Sequence, residues 1–236
     1  MSIWSLRDLI GAIIFKVVIE MKQLHRKDLF AWSKFDEERN VDFNSVLWVR
    51  AGGNIMIDPM PLSPHDEAHL KSLGGAEWIV ITNSDHVRDS QAISKKTHAK
   101  IAAPAGEWDS IPFACDRWLS DGDEIVPGLI AFEMQGSKTR GELVLVLERT
   151  TLITGDLIRA HRAGSLMLLP DSKIVDRSQV HASLDRLLTF KEIETVLVGD
   201  GWSIFRDGAA QLKELTAMLA TTTTGNSLSS VPRTSC

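Results

Sequence analysis

The stretch Ile79-Val80-Ile81-Thr82-Asn83-Ser84-Asp85-His86-Val87-Arg88-Asp89-Ser90 constrains the fold more than any other part of the chain. Three consecutive β-branched residues make a short buried strand, and the polar run that follows marks where it must stop. Such a strand delivers a polar loop to the edge of a sheet. In an α/β protein that loop is the usual seat of chemistry, because the strand holds it rigid while its side chains stay free.

Turn and cap signals place the other elements. Residues 43–50 alternate loosely, Gly52-Gly53-Asn54 makes a tight turn and 55–58 returns, which predicts a β-hairpin. Ser63-Pro64-His65-Asp66 combines an N-cap Ser, Pro at the first helical position and an acid at the third, so a helix starts there and stops at Gly74-Gly75. A helix follows the polar loop to about residue 96, and a strand over 100–103 ends at Pro104. A strand over 129–134, a hairpin from 143–148 and 151–154, a helix near 178–190, a strand over 195–198 and a final helix over 207–220 complete the pattern. No linker interrupts the middle. One domain over 22–220 is expected, with a short extension over 1–21 and a disordered tail over 221–236, where Thr, Ser, Gly and Pro dominate.

The first 21 residues are apolar but broken by Arg7, Asp8, Lys16 and Glu20, and the longest uncharged piece, Leu9 to Phe15, falls short of the roughly 20 residues a bilayer requires. No stable membrane span is expected. Two readings stand: an amphipathic helix docked on the body or on a membrane surface, or an upstream extension ahead of a start at Met21. A net charge of -5, with no Lys/Arg stripe, argues against a nucleic-acid partner. The two cysteines, Cys115 and Cys236, are too few and too far apart for a disulfide framework or a Cys-rich zinc site, which suits a reducing, cytoplasmic setting.

The polar loop after Ile81 resembles the T-H-x-H-x-D-H signature of the metallo-β-lactamase fold. Further stretches match that family's site loops in order: Asn54-Ile55-Met56-Ile57-Asp58, Gly136-Ser137-Lys138-Thr139-Arg140-Gly141-Glu142, Leu152-Ile153-Thr154-Gly155-Asp156 and Val196-Leu197-Val198-Gly199-Asp200-Gly201. The resemblance implies an α/β fold, a four-layer αββα sandwich. It also implies five histidines and two aspartates holding two zinc ions, with a metal-bound hydroxide as nucleophile. This chain departs from that set. Asn83 and Asp85 stand at the first two histidine positions, Val87 at the aspartate, Arg88 at the third histidine and Lys138 at the fourth, while Asp156 matches the bridging aspartate and Asp200 replaces the last histidine.

An ammonium or guanidinium cannot ligate a metal, but it can compensate carboxylates in the same hollow. Asp85, Asp156 and Asp200 against Lys138 and Arg88 make a nearly neutral cluster that needs no ion, so no cofactor is expected. The alternative is one divalent ion, Mg²⁺, Mn²⁺ or Zn²⁺, on Asp85, Asp156 and Asp200, with Asn83 nearby and His86 as base. His86 falls at a variable position of the motif, and a solvated ring turned away from the site is the competing expectation.

Arg159, His161 and Arg162, just after Asp156, form a possible receptor for a carboxylate or phosphate, against which stands plain surface salt bridging. Trp202 and Phe205 either wall the cleft or join the core. His65 and His69 have the spacing of a zinc-protease helix, but with Asp66 in place of Glu and no third ligand downstream. Ser84, Ser137 and Ser203 lack a base and orienting acid in sequence.

Three functions remain open. The first is a member of the family with a degenerate centre that binds a small anionic molecule. The second is a hydrolase of an ester, thioester or phosphodiester with a single oxygen-ligated metal. The third is a non-catalytic scaffold or homo-oligomerisation module.

Overall fold

The computed structural model describes residues 21–225, with side chains to residue 220; expectations for 1–20 and 226–236, including the amphipathic helix and most of the tail, lie outside these residues. Two sheets pack face to face. The first runs in chain order through β1 (Lys22–Gln23), β2 (Leu29–Asp36), β3 (Val41–Trp48), β4 (Ile55–Ile57), β5 (Trp78–Val80), β6 (Lys100–Pro104) and β7 (Arg117–Leu119). It is antiparallel as far as β4 and parallel beyond. The second contains β8 (Glu124–Val126), β9 (Leu129–Glu133), β10 (Leu143–Leu147), β11 (Thr151–Thr154) and β14 (Thr195–Val198), in the order β14-β11-β10-β9-β8, with β11 and β14 parallel. A separate hairpin joins β12 (Ile158–Arg162) to β13 (Ser165–Leu168).

Parallel neighbours need crossovers, and helices supply two of them. Helix α1 (Pro64–Ser72) links β4 to β5 and α2 (Ser90–Thr97) links β5 to β6, while α3 (Arg177–Leu187) precedes β14 and α4 (Gly208–Gly225) follows it. The period of two along each strand sorts side chains into layers. Leu143, Leu145 and Leu147 face Val46, Trp48, Ile55 and Ile57 between the sheets. Val144 and Val146 face Leu184 of α3 and Leu212 of α4. On the far side, Leu47, Met56 and Ile79 pack under Leu70 of α1 and Ile93 of α2. The order of layers is helix, sheet, sheet, helix.

The hairpin at Gly52-Gly53-Asn54 is present as β3 and β4. The α1 start is a reciprocal capping box between Ser63 and Asp66. Asp66 is turned inward and fully buried, and it also accepts the backbone N–H of Met21, so the His65/His69 helix offers capping rather than metal chemistry. Two differences from expectation are informative. Helix α4 continues to Gly225, beyond the predicted stop at 220, because extending an existing helix adds a hydrogen bond per residue and Thr opposes it only weakly. The stretch Ile158-Arg159-Ala160-His161-Arg162 is a strand, with Ile158 and Ala160 buried; its alternation was masked by its charge.

The fold gathers the site at one edge. Asp58 follows β4, Thr82 to Arg88 follow β5, Asp156 follows β11 and Asp200 follows β14, each beyond the carboxyl end of a parallel strand. Backbone bonds from Leu143 N to Thr82 O and from Asn44 N to Gly199 O, each 2.8 Å, fasten the sheets together there.

Removing side-chain volume from the inter-sheet layer leaves a void that neither sheet can close. Leu145→Ala, at a fully buried site, should cost about 2–5 kcal/mol in urea denaturation. Trp108→Ala, at a side chain 67% exposed, should change stability by less than about 0.5 kcal/mol.

Candidate functional site

The site is built around His86. Asp58 has a left-handed backbone (φ 46°) and its carboxylate accepts hydrogen bonds from Thr82 N (2.8 Å) and Thr82 Oγ1 (2.6 Å). The same carboxylate lies 2.9 Å from His86 Nδ1. That contact turns the ring inward, so Nε2 lies 3.5 Å from Asp156 Oδ1 and 3.8 Å from Asp200 Oδ1. The 3-10 turn Ser84–His86 that carries the ring is itself pinned: Asn83 Oδ1 accepts Asp85 N–H and Glu107 accepts Ser84 N–H. Gly199 lets the strands close over it, since a Cβ at that position would stand 2.7 Å from His86 Cε1.

Three fixed cations surround the two buried acids. Lys138 Nζ lies 2.5 Å from Asp85 Oδ2 and 2.8 Å from Asp156 Oδ2. Arg159 Nη2 bridges Asp156 Oδ1 (3.2 Å) and Asp200 Oδ2 (2.8 Å). Arg88, again with positive φ, donates to the carbonyls of Asn44, Asp58 and Gly199 and holds Nη2 3.9 Å from Asp200 Oδ1. With His86 protonated, Asp58, Asp85, Asp156 and Asp200 are balanced one for one by Arg88, Lys138, Arg159 and the imidazolium.

The environment favours that proton. Burial and the Arg88 charge pull the His86 pKa down, but Asp58 and Asp156 outweigh them and raise it to about 9. Burial alone would raise Asp156, yet His86 and Lys138 hold it well below the usual carboxylate range. Asp200 goes the other way: burial and the neighbouring Asp156 charge lift it against the pull of His86, Arg159 and Arg88. Behind Asp156, the fully buried Glu142 receives Ser137 Oγ–H (2.7 Å) and Leu157 N–H (2.6 Å), and burial and Asp156 push its pKa to about 7.

A cleft of about 720 Å³ opens above this floor, lined among others by Asp85, His86, Arg88, Lys138, Asp156, Arg159, His161 and Asp200. Several sequence-predicted residues take other places. His86 is buried at the centre and not solvated, because Asp58 captures its Nδ1. Asp85 sits at the rim with its side chain 56% exposed, so the three converging donors are His86, Asp156 and Asp200 in place of Asp85, Asp156 and Asp200. Asn83 is a buried cap and does not line the cleft. The Arg88 guanidinium is committed to backbone carbonyls. Arg162, beyond the register shift in β12, and Trp202, after Gly201, are exposed and do not line the cleft. Asp58 and Glu142 closed motif stretches in the sequence reading but were given no chemical role there, and Arg39 and Lys173 were not singled out. For Asp58 the signal was there, an acid closing a strand directly before Pro59.

The sequence profile described as metallo-beta-lactamase superfamily matches residues 21–219. The chain belongs to the metallo-β-lactamase superfamily. Solved structures agree on the fold. DIM-1 metallo-β-lactamase superposes with a TM-score of 0.68 at 16% identity, over 86% of this chain and 98% of that one. FIM-1 from Pseudomonas aeruginosa, in its mono-zinc form, gives 0.68 at 19% identity over 88% and 96%. The metallo-β-lactamase from Pontibacter korlensis gives 0.68 at 14% over 86% and 99%. No curated protein matches the chain.

The dinuclear zinc centre that the superfamily implies does not fit the residues present. Among the described residues one three-donor cluster, His86, Asp156 and Asp200, converges within 4.8 Å, which is too few donors for two ions. Lys138 and Arg159 already contact its carboxylates.

A raised pKa means that folded His86 keeps its proton after the unfolded chain has released one. Its contribution to stability is complete below the ordinary value of 6.5 and is lost as pH rises through about 9. Unfolding free energy from urea titrations should decline across that window, and His86→Gln should flatten the decline. Glu142, raised from 4.5 to about 7, acts mainly at lower pH. A level profile for the unaltered protein between 6.5 and 9 would exclude the imidazolium.

Proposed function

We propose that this superfamily member has replaced dinuclear zinc with side-chain cations and binds a small anionic molecule in the cleft above them. The observation that carries the reading is charge. Arg39, Arg88, Lys138, Arg159 and Lys173 line a cleft of about 720 Å³ against Asp85, Asp156 and Asp200, in a chain whose net charge is -5. A cationic hollow on an acidic protein concentrates anions, and its volume lies in the range of about 300–1,000 Å³ common for small-molecule sites.

A second reading, hydrolysis of an ester, thioester or phosphodiester with one divalent ion, has one observation in its favour. Among the described residues Asp200 Oδ1 is buried without a hydrogen-bond partner, and it converges with His86 Nε2 and Asp156 Oδ1.

Metal analysis separates the two. Protein purified without added metal should carry far less than one equivalent of zinc, manganese or magnesium, and inorganic phosphate should raise its melting temperature. Arg159→Ala should abolish that rise and Arg162→Ala should leave it intact. Near one equivalent of a divalent ion, with an esterase, thioesterase or phosphodiesterase activity lost in Asp156→Asn, would establish the single-ion hydrolase. Near two equivalents of zinc would overturn both readings.

A further inference from the structure

The cleft has two tiers with different charge. On the floor, His86, Arg88, Lys138 and Arg159 each have a carboxylate within 4 Å. The rim carries basic side chains from three separate elements: Arg39 from the β2–β3 turn, His161 from β12 and Lys173 from the 3-10 turn Asp171–Lys173. All three are exposed, and among the described residues none has a carboxylate within ion-pairing distance. The floor cations each have such a partner, so Arg39 and Lys173 stand at the rim as two positive charges with no carboxylate in contact. His161 adds none near neutral pH, because burial and Arg159 lower its pKa.

One wall of the same cleft is apolar. Val41 and Phe43, two apart on β3 and therefore on one face, stand with Met60. The Phe43 ring has the Arg39 guanidinium carbon 5.6 Å and that of Arg88 5.8 Å from its centre, so the aromatic face and the charged rim are contiguous. A bare inorganic anion would engage the cations and leave this wall wet. A ligand with an apolar body would cover it.

Building on the anion-binding reading above, we propose that the cleft recognises an organic dianion, its doubly charged group held by Arg39, Lys173 and the floor cations and its apolar body laid against Val41, Phe43 and Met60. A phosphate monoester and a dicarboxylate share this chemistry. Calorimetry on the full-length protein with matched probes tests it. Phenyl phosphate should bind about tenfold or more tightly than inorganic phosphate, since covering part of a phenyl ring is worth roughly a decade of affinity. Phenyl phosphate or phthalate should likewise exceed benzoate, which has the body but one charge. Whichever of phenyl phosphate and phthalate binds more tightly names the headgroup. Phe43→Ser should erase the advantage of phenyl phosphate over phosphate, and Arg39→Ala with Lys173→Ala should weaken both dianions about tenfold. Equal affinity for phosphate and phenyl phosphate on the unaltered protein would overturn the inference while leaving the anion site standing. No binding of any of the four probes would overturn the anion site as well.

Discussion

Asp156 and Asp200, each with a side chain only 5% exposed, have to be compensated, and the site depends on how that is done. A carboxylate taken out of water without a partner costs several kcal/mol, far more than the hydrogen bonds of a loop return. In the metallo-β-lactamase family the resemblance assigns this task to zinc. Here Lys138 before β10, Arg159 on β12, and Arg88 and His86 after β5 bring side chains against these carboxylates from three parts of the fold. These contacts are made by the chain itself.

The same groups tie the two sheets into one edge. Arg88 reaches the Asn44 carbonyl within β3 and the carbonyls of Asp58 and Gly199 just past β4 and β14, and so bonds both sheets with one side chain. Its backbone and that of Asp58 hold positive φ without being glycine, a strain of order 1–3 kcal/mol each that persists only where surrounding bonds over-determine it. Gly201 makes the adjoining crossing possible, because any Cβ there would fall 2.2 Å from Ala160 O. Charge pairing and close backbone approach are thus one construction.

The fold was legible because its signals are local. Apolar runs ended by Asp-Pro, Gly-Asp or Thr-Asn, and the Ser63–Asp66 cap, each state where an element stops. Within the site, Lys138 opposite Asp85 and Asp156 was readable from motif alignment, since a fixed loop after a fixed strand leaves little choice of direction. For His86, offered as a base, the direction of the ring stayed open, because one residue of shift in a 3-10 turn decides whether it faces solvent or core, and here the decision is made by Asp58, 28 positions away. Arg162 and Trp202 stand outside the cleft lining for a related reason. Closeness to Asp156 or Asp200 in sequence says nothing about which side of a strand or turn a side chain leaves.

Glu142 shows the rule that governs the whole centre. It is as buried as Asp156 and adjacent to it, yet no Lys or Arg contacts it among the described residues. A second full negative charge beside Asp156 would compete for the cations that Asp156 already uses. The carboxyl instead keeps its proton to about pH 7 and spends its oxygens on Ser137 and the backbone of Leu157, holding the turn that presents Asp156. Asp156 is held ionised by His86 and Lys138, whereas among the described residues no cation contacts Glu142, which feels only the more distant pull of His86. Neighbouring buried acids on different loops can therefore differ in protonation according to which cations reach them.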